Sequence, residues 1–450
     1  MGSARMRSLH RPFVMLTTIA VVAAVAVGAT RAAGAARADE KKLVVWDYGA
    51  RPNTSKAYDR IYAAFMKTHP GVEIERRSFS GGDDFQAAFQ PAMAANKGPD
   101  IWAGGVTEQL LNNGLVLELT PYYCRYGWNK TLNSAQVRLT QRRGKIWQIP
   151  DSIESNVVFY NKDVFRRIGA TEPKTWAQFL GIVKKAKAKG VVPVGFGNVD
   201  KFGGGAFWHG ALIGNSIGAK AEQAILFGNG RWDSPGVVAA LEKWVQLVGA
   251  GAFPDASVSI SFDEGLSLFA RKKAAMFLTG SYVLTELSGA SIFTNPNTGV
   301  FLLPSWNAKV GTNATDQSGN NWVANARTKD PALAAELLNH LLFKPASQKI
   351  LVEETNDVLA VKGLSRFKLS PQLKRIRTLV DAMPPGRISY SYLSSLVPGE
   401  VQQAFFDDMQ GLQAGKEKPA EVAAKWQKLW AEAKAKGQTL KPGAPPKCGK

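Results

Sequence analysis

Residues 43–105 constrain the fold more than any other stretch, because their apolar pattern switches repeatedly between a strand period and a helix period. Leu43-Val44-Val45-Trp46 is a short apolar run of strand type. Polar turn residues follow, and then Tyr58, Ile61, Ala64 and Phe65 fall on one face of an amphipathic helix that His69-Pro70-Gly71 stops. Val72 to Ile74 alternates like a second strand, Phe85 to Ala95 reads as a second helix, Lys97 to Asp100 turns the chain, and Ile101-Trp102 begins a third strand. This β-α-β-α-β order predicts a doubly wound α/β sheet. In such sheets ligands sit beyond the carboxyl ends of the strands, so topology places Trp46, Asp47 and Tyr48 at one rim with Trp102 and the Ala103-Gly104-Gly105 turn.

The pattern restarts at Gly144. Ile146 to Ile149 and Val157 to Tyr160 predict strands, and Thr175 to Lys189 predicts a helix. Further helices are predicted from Ser234-Pro235 to Val248, where Ser suits the N-cap and Pro the first turn, over Ala332 to Phe343, and over Pro419 to Lys436. Residues 441–450, rich in Pro, Gly and Lys, predict a loose tail. With 450 residues, two domains are expected, and 45% hydrophobic against 20% charged residues is the balance of a folded globular chain rather than a disordered one. The formal charge of +20 admits nucleic acid, a membrane surface or an anionic solute as partner. Lys184, Lys185, Lys187 and Lys189 suit the negative end of their helix, and no aromatic residues interleave with them as a nucleic-acid surface would require, so a solvated face is the expectation there.

The N-terminus sets the compartment. Arg5, Arg7 and Arg11 precede an apolar run from Phe13 to Val27, and the small-residue stretch ending in Ala36-Arg37-Ala38 fits a secretory leader cut before Asp39. No Cys follows that run, so a lipid anchor is not expected and the mature chain should be exported and soluble, in the periplasm. The leader carries five Arg and no acid, so the remainder keeps a charge of +15.

Chemical signatures are few. Gly214-Asn215-Ser216-Ile217-Gly218 matches a nucleophile elbow, but it follows a helix-like stretch, Phe207 to Ile213, where the elbow needs a strand. The pairs Asp83-Asp84 and Glu353-Glu354 point different ways along any regular element and make poor glycosidase carboxylates. Two Cys and four His, unclustered, predict no metal site, and no phosphate or dinucleotide loop predicts a cofactor. Above background stand aromatic residues beside Gly, Ser and Asn, as in Gly203-Gly204-Gly205-Ala206-Phe207-Trp208, Thr279-Gly280-Ser281-Tyr282 and Gly319-Asn320-Asn321-Trp322. A flat apolar face next to hydrogen-bonding groups suits a sugar ring, although core packing explains any single one equally well.

The succession Gly98-Pro99-Asp100-Ile101, Gly114-Leu115-Val116-Leu117-Glu118-Leu119-Thr120-Pro121, Gly144-Lys145-Ile146-Trp147 with Ile149-Pro150, Phe159-Tyr160-Asn161-Lys162-Asp163-Val164-Phe165, Pro173-Lys174-Thr175-Trp176 and Lys273-Ala274-Ala275-Met276-Phe277-Leu278-Thr279-Gly280 resembles the extracellular solute-binding proteins of ATP-driven sugar importers, the carbohydrate-binding family that includes maltose-binding protein. The resemblance covers nearly the whole mature chain. It implies a type II periplasmic-binding-protein fold, α/β, with two lobes that each hold a doubly wound sheet flanked by helices and a ligand cleft between them. Lobe one would take residues 39–149 and 303–354, and lobe two residues 150–302 and 355–440. By position the resemblance implies ligand contacts at Glu154, Trp208, Ser281, Tyr282, Trp322 and Tyr390, besides Trp46, Asp47 and Trp102 at the strand ends. Ser281-Tyr282 stands where many relatives have Pro-Trp, which suggests a polar wall and a sugar other than maltodextrin.

The expected function is therefore binding of a mono- or oligosaccharide by lobe closure and delivery to a membrane permease, with no catalysis, no cofactor, no nucleic acid and a monomeric chain. Two alternatives stay open: a secreted carbohydrate-active enzyme, and a receptor for an anionic solute such as a uronic acid or sugar phosphate. Glu154 has a structural alternative of its own, a salt bridge at the hinge. An even cysteine count in an exported chain favours a Cys124–Cys448 disulfide that pins the tail across the back of the cleft, against two unrelated thiols.

Overall fold

The computed structural model describes residues 41–450 except 51, 80–81, 133–135, 138–139, 287–291, 442, 445 and 450. The secretory leader read over residues 1–38 lies outside them. β1 (Lys41–Asp47) is the organising strand of the first sheet, pairing in parallel with β2 (Val72–Ser78) on one side and β3 (Ile101–Ala103) on the other. The crossovers are helices α1 (Pro52–Thr68) and α2 (Gly82–Ala94). Two later strands complete the sheet in antiparallel sense, β12 (Asn321–Ala324) beside β3 and β4 (Ile149–Pro150) beside β12, giving the order β2-β1-β3-β12-β4. α1 buries Tyr58, Ile61, Tyr62 and Phe65 under two helices from late in the chain, Pro331–Phe343 and Pro345–Thr355. Sequence therefore returns to the first lobe after a long excursion.

The second sheet has the order β7-β8-β6-β9, built from β6 (Asn156–Asn161), β7 (Val192–Val194), β8 (Ala274–Gly280) and β9 (Thr298–Phe301). Every residue of β6 and β8 is buried, as expected for strands covered on both faces, and that explains the continuous apolar run Ala274 to Leu278. β6 runs antiparallel to both neighbours, so this doubly wound sheet is mixed rather than parallel. Around it lie helices 162–168, 176–188, 209–227, 235–249, 262–270, 399–413 and 419–435. The strand predicted over Ile146 to Ile149 is shorter than expected. A tight Arg142–Lys145 bridge and the Trp147 Nε1–H bond to the Arg142 carbonyl hold residues 146–148 off the sheet, and Ile149–Pro150 alone pairs.

Three passages connect the sheets and run beside one another. β5 (Ile153–Glu154) pairs with β11 (Gln317–Ser318), β10 (Ala314–Thr315) just before it pairs in parallel with Ile388–Ser389, and Ser152 bridges Leu359. The tail that leaves helix 419–435 in the second lobe returns to the first: Cys448 is bonded to Cys124, with Cα atoms 5.2 Å apart, and Gln141 Nε2 donates to the Gly443 carbonyl. Cys124 lies in the short helix Thr120–Arg125, which is followed by Trp128 stacked on Phe343 and bonded to Asn339 of the first lobe.

Gly203–Trp208 forms a turn of π-helix ahead of helix His209–Phe227. A Cβ at Gly205 would lie 1.9 Å from the Phe406 ring, so only glycine permits this approach of helix 399–413. The Gly214–Gly218 motif follows helical residues and ends at a break in this span, where Gly218 is left-handed in φ (77°); the Ser216 hydroxyl donates to the Gly236 carbonyl, and with no strand before it the motif forms no strand-to-helix elbow.

Candidate functional site

A cavity of about 90 Å³, room for several waters, opens where the three passages meet. Tyr48 follows β1, Tyr58 comes from α1, Asp151 and Glu154 from the first passage, Asn320 precedes β12, and Asp357 follows helix Pro345–Thr355. The second lobe adds Ser281, Tyr282 and Thr285, carried at the end of β8. The wall is thus tyrosine faces, hydroxyls, amides and carboxylates, and no Lys, Arg or His lines it among the described residues.

The acids differ in their support. Asp151 is buried and accepts from the Ser152 hydroxyl at 2.9 Å, yet burial outweighs that bond and raises its carboxyl above the usual range. Burial and then the Asp151 charge hold the Asp357 carboxyl well above its ordinary range. The two together retain a proton where exposed carboxyls would have lost both. Glu154 is held differently: the Tyr392 hydroxyl donates to Oε2, and Gly319 makes room, since a Cβ there would stand 2.1 Å from Oε1. Tyr282 stacks at 6.0 Å on Phe207 of the π-helix, which also meets Tyr392 edge-on. The Ser281 hydroxyl accepts from the Ser155 N–H at 3.1 Å and its own N–H donates to the Ser155 carbonyl, so it ties β8 to the first passage.

Of the residues singled out from sequence, Glu154, Ser281 and Tyr282 are brought together here, and six are placed elsewhere. Asp47 is 0% exposed and saturated, accepting from Arg76 Nε at 2.7 Å, the Ser78 hydroxyl at 2.7 Å and the Gly49 N–H at 2.8 Å. Its carboxylate is an interior ion pair, because the β1–β2 register sets Asp47 opposite Ser78 and close to Arg76. Trp46 packs among Phe79, Phe85 and Phe89 with the Arg77 guanidinium 4.8 Å over its ring. Trp102 packs on Phe89 at 5.1 Å, Trp208 on Trp244 and Phe253, and Trp322 on the edge of Tyr58. Tyr390 is buried against Phe227, its N–H donating to Glu222 at 3.1 Å. All six are core positions: Trp46, Asp47, Trp102 and Trp322 because their sheet is covered on both faces up to the strand ends, Trp208 in the π-helix and Tyr390 because neighbouring aromatic side chains pack over them. Sequence reasoning passed over Asp151 and Asp357, and it met Tyr58 on a helix face and Asn320 and Tyr392 in polar, aromatic stretches without assigning them to the site; the signal for Asp151 was the Ile149-Pro150 motif immediately before it. Among the described residues no group of His, Cys, Asp and Glu is placed to hold a metal, and no helix is long and apolar enough to cross a membrane.

Two mixed α/β lobes joined by three passages, with a polar cavity at the crossing, define the two-lobe type II binding fold. A solved chitin oligosaccharide binding protein superposes with a TM-score of 0.77 at 20% identity, covering 88% of this chain and 100% of its own. The model of the bacterial extracellular solute-binding protein family matches residues 51–348, and the chain belongs to that family. It is 31% identical over 140 residues to a "Probable sugar-binding periplasmic protein" of Mesorhizobium japonicum, covering 30% of this chain and 32% of the relative. It is 25% identical over 236 residues to the "Multiple sugar-binding protein" of Streptococcus mutans, covering 50% and 54%. The chain thus spans from about a third to about half of the length of these curated relatives.

Proposed function

We propose that this protein is the extracytoplasmic receptor of an ATP-driven importer, a monomer that takes up a mono- or oligosaccharide in the cavity at the lobe crossing and presents it unchanged to the membrane permease. In this reading lobe one comprises residues 39–149 and 303–354, lobe two residues 150–302 and 355–440, and the protein works in the periplasm. The observation that carries it is the cavity wall, in which carboxylates able to accept hydroxyl hydrogen bonds face the Tyr282 ring supplied by the other lobe. A solute touching both sides makes its full set of contacts when the lobes close on it, so binding and closure are one event. Three acids, two of them sharing a retained proton, and no Lys, Arg or His in the described wall disfavour an anionic solute, and neutral sugars lead.

Thermal unfolding across a panel of neutral sugars, uronic acids, sugar phosphates, amino acids and peptides tests the reading. A cognate sugar at 100 times its Kd should stabilise the fold by about 2.7 kcal/mol, and chromatography should recover it intact, which separates a receptor from an enzyme. A shift produced by amino acids or peptides and by no sugar would overturn the carbohydrate assignment.

A further inference from the structure

The second lobe has a pole far from the cavity where cations collect. β6 starts at the cavity end, where Ser155 meets Ser281, and finishes at Asn161; antiparallel β8 starts at Ala274 and finishes at Gly280. The Asn161 and Ala274 end therefore lies roughly 17 Å from the solute site, at about 3.3 Å per residue. Three helices end there. Helix 162–168 finishes with Arg166 and Arg167, helix 176–188 with Lys185 and Lys187, and helix 262–270 runs into Arg271-Lys272-Lys273. Contacts show that these ends adjoin: Lys185 Nζ donates to the Gly169 carbonyl at 2.6 Å, Lys272 Nζ reaches Asp163 at 3.0 Å, and the Val192 N–H donates to the Lys273 carbonyl at 3.1 Å.

Helix dipoles account for part of this cluster, since one cation complements each carboxyl end. They leave a surplus. Asp163 is the acid found inside the cluster, already shared by Arg166 and Lys272, and Glu172 nearby is engaged by Tyr160 and Arg375. Arg167, Lys189, Arg271 and Lys273 are exposed and make no ion pair among the described residues. Among the described residues none of these four cations lies over an aromatic ring. The surface consists of long flexible cations on helix ends and so suits smeared negative charge rather than a shaped ligand.

We propose that this pole docks on the anionic headgroup surface of a lipid bilayer, holding the receptor close to the membrane where, on the reading above, its permease resides. Each Lys or Arg brought to such a surface adds to the attraction until salt screens it within about 8 Å. The test uses the purified full mature chain and sedimentation with vesicles of phosphatidylglycerol and phosphatidylcholine (3:7) or of phosphatidylcholine alone. The expected result is partition to the anionic vesicles at low salt, progressive loss on raising salt, and none with the neutral vesicles. Lys189→Glu/Arg271→Glu/Lys273→Glu should lower partition at least tenfold, far more than the charge-matched set Lys67→Glu/Lys349→Glu/Lys428→Glu elsewhere on the surface. Equal losses in both sets, no partition to anionic vesicles, or tighter retention by DNA than by vesicles would each overturn the proposal. No solute is needed, so the outcome stands apart from the sugar panel.

Discussion

Glu154 and Glu222 show how differently two acids in one lobe are handled. Glu154 faces the cavity with the Tyr392 hydroxyl donating to it, so Tyr392→Phe removes a bond to a charged group without emptying the space. Sugar affinity should fall by about 1.5–3 kcal/mol in calorimetric titration while the unfolding midpoint barely moves. Unchanged affinity would mean that Glu154 is oriented by something else. Glu222 is 1% exposed, accepts from the Tyr390 N–H, and burial pushes its carboxyl up to about 8. A raised acid keeps its proton in the fold after the unfolded chain has lost it, so its contribution to stability is full below about 4.5 and declines as pH rises toward 8. Glu222→Gln should therefore match the parent near pH 4 and exceed it by a few kcal/mol at pH 9, read from urea melts at both pH values. A constant difference across that range would refute the buried neutral acid.

At the scale of elements, six helices were legible, those over 262–270, 345–355 and 399–413 went unread, and the site was not legible. Thr175 caps helix 176–188 through the Gln178 N–H, Ser234-Pro235 opens helix 235–249, and Asp330 caps helix 331–343, all local signals that tertiary packing leaves intact. Strands β1, β3 and β6 were equally readable from their apolar runs, and β2 from its alternation. Which side chain of a strand end meets solute depends instead on what covers each face, and that is decided by chain from elsewhere: Arg76 claims Asp47, and Phe89 covers Trp102. Asp151, Asn320 and Asp357 meet because three passages distant in sequence converge, a fact with no local trace. The π-helix at Gly203–Trp208 also escaped periodicity, being one turn long. It places Phe207 beneath Tyr282, and Gly205 is its tightest point. Gly205→Ala should cost about 1–3 kcal/mol of stability or more, since Phe406 must move, and should weaken sugar binding as well through the Tyr282 stack. A stability loss with affinity untouched would separate the π-helix from the site.

For the whole molecule, the decisive feature is the Cys124–Cys448 bond. Seen topologically, it converts 324 residues of sequence separation into a covalent ring, and all three passages between the lobes are arcs of that ring. A single backbone cut anywhere along it opens the circle without releasing a piece. Limited proteolysis at the exposed Val199–Phe202 stretch should accordingly yield a nicked protein that runs as one band without reductant and as two fragments with it. Cys448→Ser, with the ring never closed, should release two pieces under denaturing conditions alone and lose up to about 5 kcal/mol of unfolding stability. A nicked parent that separates without reductant would show two free thiols. In the ring, residues 437–448 serve as its clasp: a segment outside both sheets keeps both lobes on one closed thread.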